Sequence, residues 1–360
     1  MLLEIFTFLK LIFIEKAVNI DNLVFKLHYR ITALLLFIFS VLVTARQYFG
    51  DPIDCLVQGV PEKVMDSYCW ISSTFTVRYL PHQQIGVHMV QPGVKSYIEG
   101  EDTVKYHTYY QWVCFVLFFQ AVLFYTPHYL WKNWEGGKIK ELVEDLKTPF
   151  SKEKNIKQRK KIIINYFKNS KGQHNVYIYH FLLCELLNLC NVFAQIYLLD
   201  VFLDGGFINY GYHLLGGYDD SATMNLDPMA SLFPKVTKCT FKKFGPSGTL
   251  QKFDGLCILP VNILNEKIYI ILWFWFYILA VVTSLWLLFE LIVLASSKLR
   301  FSLLKARAKI VNTNTVNSIL KKFKIGDWFL LYQISKNMEI LTLKSFLEEL
   351  KRKLNNGKPK

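Results

Sequence analysis

The sequence predicts an all-α membrane protein with four transmembrane helices and an extracellular disulfide framework. Four long apolar runs divide the 360 residues, and each reaches the roughly 20 residues that a helix needs to cross a bilayer. The segments between the runs alternate between lysine- and arginine-rich stretches and stretches with fewer basic residues. The less basic stretches contain paired cysteines, which is typical of an extracellular side.

The apolar runs predict transmembrane helices at residues 27–48, 109–131, 180–203 and 268–295. Trp112, Trp131, Tyr269 and Trp273 lie near the ends of these runs, where aromatic belts form at the membrane surface. Residues 1–26 are apolar but interrupted by charges, and they lack the basic start and cleavage site of a signal peptide. We expect residues 1–26 to form an amphipathic helix at the membrane or inside a central cavity.

The distribution of basic residues predicts which side each loop faces. Residues 1–30, 131–178 and 296–360 carry 31 of the 42 lysines and arginines, so both termini are expected in the cytoplasm. Residues 132–179 then form a cytoplasmic loop, and residues 296–360 form a cytoplasmic tail. The net charge of +14 fits contact with anionic lipid headgroups, since no nucleic-acid recognition motif accompanies it.

Cysteine placement supports this orientation. The two predicted extracellular loops, residues 49–108 and 204–267, each contain two cysteines, namely Cys55 and Cys69, and Cys239 and Cys257. Cys114, Cys184 and Cys190 lie inside predicted helices, and the cytoplasmic segments contain none. This pattern predicts an extracellular disulfide framework, with three connectivities open to four cysteines. A metal site would show C-x-x-C or nearby histidine spacing, and neither occurs.

Catalytic and nucleotide-binding motifs are missing from the sequence. It contains no H-E-x-x-H, G-x-S-x-G, Walker A or G-x-G-x-x-G pattern, so we expect no enzymatic activity and no cofactor. Gly245-Pro-Ser-Gly248 has the composition of a turn. No internal repeat is visible, which argues against a transporter built from inverted repeats.

The second run opens with Tyr109, Tyr110, Gln111, Trp112 and Val113. These residues resemble the signature of the innexins, the invertebrate gap-junction proteins, and the likeness covers roughly residues 20 to 335. Arg46-Gln-Tyr-Phe-Gly-Asp-Pro-Ile-Asp-Cys55 and Tyr68-Cys-Trp70 resemble the first extracellular loop of that family. Phe233-Pro-Lys-Val-Thr-Lys-Cys-Thr240, Asp254-Gly-Leu-Cys257 and Gly326-Asp-Trp-Phe-Leu-Leu-Tyr332 resemble its second loop and its tail. The likeness is strongest to insect innexins and to the vinnexins of polydnaviruses, although the apolar N-terminus and the short lysine-rich tail depart from it.

The resemblance implies a gap-junction channel subunit at the plasma membrane. It implies four transmembrane helices with a small disulfide-bonded α+β extracellular domain and a helical cytoplasmic domain. It implies homomeric or heteromeric rings with other innexins, with eight subunits per hemichannel, and docking of two hemichannels on adjacent cells to pass ions and small metabolites. It also implies disulfides between the loops, Cys55 with Cys257 and Cys69 with Cys239. Two alternatives stay open: an undocked hemichannel that releases small molecules, and a non-conducting four-span scaffold or adhesion protein.

Polar residues in the first run and the N-terminus are candidates for the pore. Helical spacing brings Thr32, Ser40 and Thr44 within about a third of the helix circumference, and a helical N-terminus gathers Glu4 and Thr7 on one side. Such polar faces are costly in lipid, so they face water or protein. The alternative for the first run is hydrogen bonding to neighbouring helices. Pro127 in the second run predicts a kink that could act as a gating hinge or serve static packing.

Overall fold

The structure is a computed structural model, and it describes residues 18–77, 91, 93–96, 98, 102–143, 153–214 and 232–355. Among these described residues, four helices are long and apolar enough to cross a membrane: α1 (Leu23–Phe49), α3 (Val113–Glu135), α6 (Asn175–Phe202) and α8 (Pro260–Ala295). This architecture, with a small disulfide-bonded sheet, fits the predicted four-span membrane protein.

The chain forms two compact units, and each long helix contributes one part to each of them. The sheet unit contains residues 35–122 and 192–279, and the helical unit contains residues 1–34, 123–191 and 280–360. Nothing is described for residues 1–17 of the helical unit.

All five strands of the sheet unit pair antiparallel, in the order β1-β5-β4-β2-β3. The strands are β1 (Asp54–Leu56), β2 (Thr74–Val77), β3 (Val104–His107), β4 (Val236–Phe244) and β5 (Leu250–Ile258). The hairpin of β4 and β5 turns at Gly245-Pro-Ser-Gly248, where Gly248 has a φ of +80° that favours glycine. Helices α2 (Glu62–Ser72) and α7 (Gly206–Leu214) complete this unit.

The helical unit has a continuous apolar core. Its shorter helices are α4 (Lys138–Val143), α5 (Glu153–Asn169), α9 (Ser297–Arg307), α10 (Thr313–Leu320), α11 (Ile325–Lys336) and α12 (Ile340–Asn355). Phe181 of α6 lies at the centre of the core, with ring centroids 5.0 Å from both Trp131 of α3 and Phe329 of α11. Helices α10 and α12 add amphipathic faces, burying Val316, Ile319, Phe346 and Leu350. These helices therefore fold onto the ends of the long helices through apolar burial.

The long helices extend beyond the predicted spans at several ends. Helix α1 begins at Leu23 because the Asn22 side chain accepts a hydrogen bond from the Phe25 amide at 2.7 Å and caps it. Helix α6 begins at Asn175, before the predicted start at residue 180. Helix α8 begins at Pro260, eight residues before the predicted start at residue 268. The side-chain amide of the buried Asn262 donates to the Pro234 carbonyl at 2.8 Å. Such polar contacts let a helix continue past the apolar run that hydropathy detects.

Candidate functional site

Two disulfide bonds join the two cysteine-containing loops in the sheet unit. Cys55 and Cys257 lie directly opposite each other on β1 and β5 and form one bridge. Cys69 of α2 bonds to Cys239 of β4. The structure thus contains the pairing that the family resemblance implies. The four residues are at most 2% exposed, so the bridges lie in the core of this unit.

The two bridges are adjacent. The sulfur atoms of Cys55, Cys69 and Cys257 lie within 4.8 Å of one another, and Ile53, Met65 and Leu259 pack around them. The Cys55 amide also donates to Asp66 Oδ1 at 2.8 Å, which ties β1 to α2. A small sheet with little core of its own is therefore constrained by covalent links between residues far apart in sequence.

The signature residues connect helix α3 to this disulfide core. Tyr109–Gln111 forms a 3₁₀ turn, and α3 begins at Val113, four residues after the predicted start of the second span. The Gln111 side-chain amide donates to the Trp70 carbonyl, and the Tyr110 hydroxyl donates to the Cys69 carbonyl at 3.4 Å. These contacts hold the turn against α2, which prevents the helix from continuing through it.

The aromatic residues of the signature have different surroundings. Tyr110 is fully buried and lies 4.9 Å from the Trp70 ring, while Tyr109 packs edge-on against Phe233 at 5.7 Å. Trp112 is 59% exposed at the start of α3, as expected for an aromatic belt residue. The signature therefore packs Tyr109 and Tyr110 beside the disulfide core and leaves Trp112 exposed at the start of α3.

The three polar residues of the first helix are buried or half-buried in the structure, and their hydroxyl groups are hydrogen-bonded. Thr32 is fully buried, and its hydroxyl donates to the Leu27 carbonyl at 3.0 Å inside a π-helical turn, Leu27–Thr32. Ser40 is buried and donates to the Cys114 carbonyl at 2.8 Å, and Thr44 donates to the Ser40 carbonyl at 2.8 Å. Within the protomer, Ser40 thus shows the alternative of hydrogen bonding to a neighbouring helix, whereas Thr32 bonds within its own helix. The pore role of all three residues, including half-buried Thr44, stays a prediction.

Two further predictions concern gating and the pore entrance. Glu4 and Thr7 lie outside the described residues, so their placement in the pore stays a prediction. Pro127 is buried within α3, which remains helical on both sides of it. Proline lacks the N–H that would otherwise donate to the Leu123 carbonyl. This missing bond is a local weak point in α3, and its role as a hinge stays a prediction.

Sequence reasoning missed that Asn22, Glu185 and Glu290 come together in a polar cluster of the helical unit. Glu290 of α8 accepts hydrogen bonds from Trp286 Nε1 at 2.9 Å and from Asn22 Nδ2 at 3.2 Å. The same Asn22 amide donates to Glu185 of α6. The available signal was a single charged residue in the predicted fourth span, since an isolated carboxylate in such a run marks a functional or packing site. The cluster therefore joins α1, α6 and α8, which are far apart in the sequence.

A buried histidine makes the stability of the sheet unit pH-dependent. His107 of β3 is 2% exposed and hydrogen-bonds Thr76 at 2.8 Å. Burial, with a further contribution from Lys105, lowers the pKa of His107 to about 4. Below the unfolded-state pKa of about 6.5, the unfolded chain takes up a proton that the folded chain does not. The stability of the sheet unit therefore decreases as the pH is lowered.

We expect this loss to approach about 1.4 kcal/mol per pH unit below pH 6.5 and to level off near pH 4. Thermal unfolding of the full chain at pH 7, 6 and 5 measures it. His107→Gln, which keeps a polar side chain without the titration, is expected to flatten the profile. Equal pH slopes for the two proteins would contradict the assignment to His107.

The fold and the site together define a four-span membrane protein whose two loops on one side are joined by disulfides in a small sheet. The innexin family model matches residues 21–354. Innexin inx2 of Drosophila melanogaster is 52% identical over 341 residues, covering 94% of this chain and 92% of that protein. Innexin inx2 of Schistocerca americana is 51% identical over 338 residues, 94% of each chain, and innexin shaking-B of Drosophila melanogaster is 42% identical over 357 residues, 99% and 96% of the chains. The chain belongs to the innexin family, and it is a gap-junction channel subunit.

Proposed function

We propose that this chain forms octameric hemichannels that dock through their sheet units and join the cytoplasms of adjacent cells. The observation that carries the proposal is the pair of buried disulfides in the sheet unit. Docking of two rings needs a surface that keeps its shape, and covalent links supply this where the apolar core is small. The rings are homomeric or include other innexins.

The proposed orientation places the sheet unit outside the cell and both termini in the cytoplasm. The disulfides support it because such bonds persist in oxidising compartments. The basic residues support it independently, since residues 1–30, 131–178 and 296–360 carry 31 of 42. The sequence shows no catalytic motif, and we infer that the chain is a channel subunit without enzymatic activity.

Two other uses of the same ring need separate measurements. An undocked hemichannel would release small molecules into the medium, and a non-conducting scaffold would hold membranes together without current. The two disulfides by themselves do not distinguish docking from a scaffold. The innexin family to which the chain belongs is what favours docking. Electrical recording separates the three functions directly.

We expect junctional current between two cells that each express only this chain, measured by dual voltage clamp. The control pairs one expressing cell with one non-expressing cell, and docking predicts no current there. If surface-labelled protein gives no junctional current, the homomeric junction is wrong. Current in single cells would then identify a hemichannel, and silence in both, also with a second innexin present, would leave the scaffold.

A further inference from the structure

The helical unit contains a cavity of about 400 Å³ that the channel function does not explain. It lies among the beginning of α1, the last turns of α8, the end of α9 and helix α11. Its polar and aromatic lining includes Asn22, Trp286, Glu290, Arg307, Tyr332 and Lys336. Its volume lies in the range of small-molecule sites.

The carboxylate of Glu290 is already satisfied by donors of the protein itself. Its Oε1 accepts hydrogen bonds from Trp286 Nε1 and from Asn22 Nδ2. Asp21, which also lines the cavity, accepts a hydrogen bond from the Tyr29 hydroxyl at 3.0 Å. One oxygen of each of these two carboxylates is therefore held by donors of the fold.

The two cations of the lining differ from the carboxylates in their partners. Among the described residues, neither Lys336 nor Arg307 has an acidic group within 4.0 Å of its charged nitrogens. The Lys336 ammonium lies 4.7 Å from the centre of the Tyr332 ring. Burial is the main cause that lowers the pKa of Lys336 to about 8, and Arg307 lowers it as well, whereas the carboxylates of Glu290, Glu185 and Asp21 raise it. A partly desolvated ammonium and a guanidinium that line the same cavity favour an anion between them.

The apolar border of the cavity indicates where such an anion comes from. Leu23 on α1 is 72% exposed and Phe289 on α8 is 41% exposed, and both line the cavity. Both side chains belong to helices that cross the membrane, so acyl chains can lie against them. A ligand that combines a phosphate with acyl chains satisfies both the cations and this border.

We propose that this cavity binds the phosphate group of an anionic membrane phospholipid through Lys336 and Arg307, with its acyl chains along Leu23 and Phe289. Arg307 presents a planar fork of donors that suits phosphate oxygens, and Lys336 adds a single charge from α11. The site would join α1, α8, α9 and α11 through one lipid. The proposal does not depend on docking between cells.

Lipid titration of the full chain in neutral detergent tests the site. The probe is phosphatidylglycerol, compared with phosphatidylcholine of the same acyl chains, and the readout is the rise in unfolding temperature with lipid concentration. We expect Lys336→Met and Arg307→Gln each to raise the phosphatidylglycerol concentration needed by about tenfold or more. Lys336→Arg retains the charge and is expected to keep most of the effect.

The matched control is Lys298→Met, which removes one exposed charge from the same unit at a residue outside the cavity. It is expected to bind phosphatidylglycerol like the parent chain. Equal weakening by Lys298→Met would show general surface attraction and overturn the site. Inorganic phosphate or glycerol phosphate that stabilises the chain fully, with no further effect of phosphatidylglycerol, would overturn the lipid assignment. Should Lys336→Met fail to fold, the exposed Arg307→Gln decides between these outcomes.

Discussion

Cys69→Ser is expected to abolish junctional current while the protein still reaches the cell surface. The bridge from Cys69 to Cys239 joins residues 170 positions apart and connects α2 to β4. Removing a native disulfide from a small domain costs about 2–5 kcal/mol, which is a large part of what such a unit has. The long helices do not depend on this bond for their insertion, because their apolar length drives it. We therefore expect loss of docking rather than loss of the protein.

Dual voltage clamp on paired cells, together with surface labelling, measures this result. Cys190→Ser removes an exposed cysteine that makes no disulfide, and this control is expected to retain normal current. The double variant Cys69→Ser/Cys239→Ser leaves no unpaired partner thiol beside the Cys55–Cys257 bridge, so it separates loss of the bond from wrong disulfide exchange. Normal coupling through either variant would show that docking does not need this bridge.

The sequence was sufficient for the four spans because hydropathy is summed over many residues. It was insufficient at Tyr109, where an apolar aromatic sequence forms a 3₁₀ turn. The reason is a set of contacts with residues distant in sequence, such as the hydrogen bond from Tyr110 to the Cys69 carbonyl. The early start of α8 at Pro260 has the same origin, since the polar Asn262 is satisfied by Pro234.

The pore candidates show a second limit of sequence reasoning. Helical spacing places Thr32, Ser40 and Thr44 on one side, but spacing alone does not distinguish a face toward water from a face toward protein. In the structure, Ser40 donates to a carbonyl of α3 and is buried. The cavity beside Lys336 depends on helices from both ends of the chain, so no local sequence pattern could predict it.

Asp327→Ala is expected to destabilise the helical unit by several kcal/mol, because each buried donor that loses its hydrogen-bond partner costs about 1–3 kcal/mol. Asp327 is fully buried in the Gly326-Asp-Trp-Phe-Leu-Leu-Tyr332 motif, whose role the sequence left open. Its carboxylate accepts hydrogen bonds from His174 Nδ1 at 2.7 Å and from the Gly172 amide at 2.9 Å. It also accepts one from the Lys324 amide at 3.2 Å, which caps α11.

Thermal unfolding of the full chain measures this loss. Asp327→Asn retains one side-chain oxygen as acceptor and is expected to lose less stability than Asp327→Ala. Glu348→Ala removes an exposed carboxylate from α12 and is the control, with a change within about 0.5 kcal/mol. If Asp327→Ala unfolds at the same temperature as Glu348→Ala, the hydrogen-bonded carboxylate contributes no net stability.

A pH series tests the charge of this carboxylate separately from its shape. Burial opposes ionisation of Asp327, but the hydrogen bonds from His174, Gly172 and Lys324 outweigh it and lower its pKa. A lowered pKa means that the stabilisation is complete above the unfolded-state value of about 3.9 and is lost as the pH falls through the folded value. The unfolding temperature of the parent chain should therefore fall more steeply below about pH 4 than that of Asp327→Asn. Because His107→Gln removes the loss expected between pH 6.5 and 4, measuring both proteins in that background assigns the remaining acid-dependent difference to Asp327.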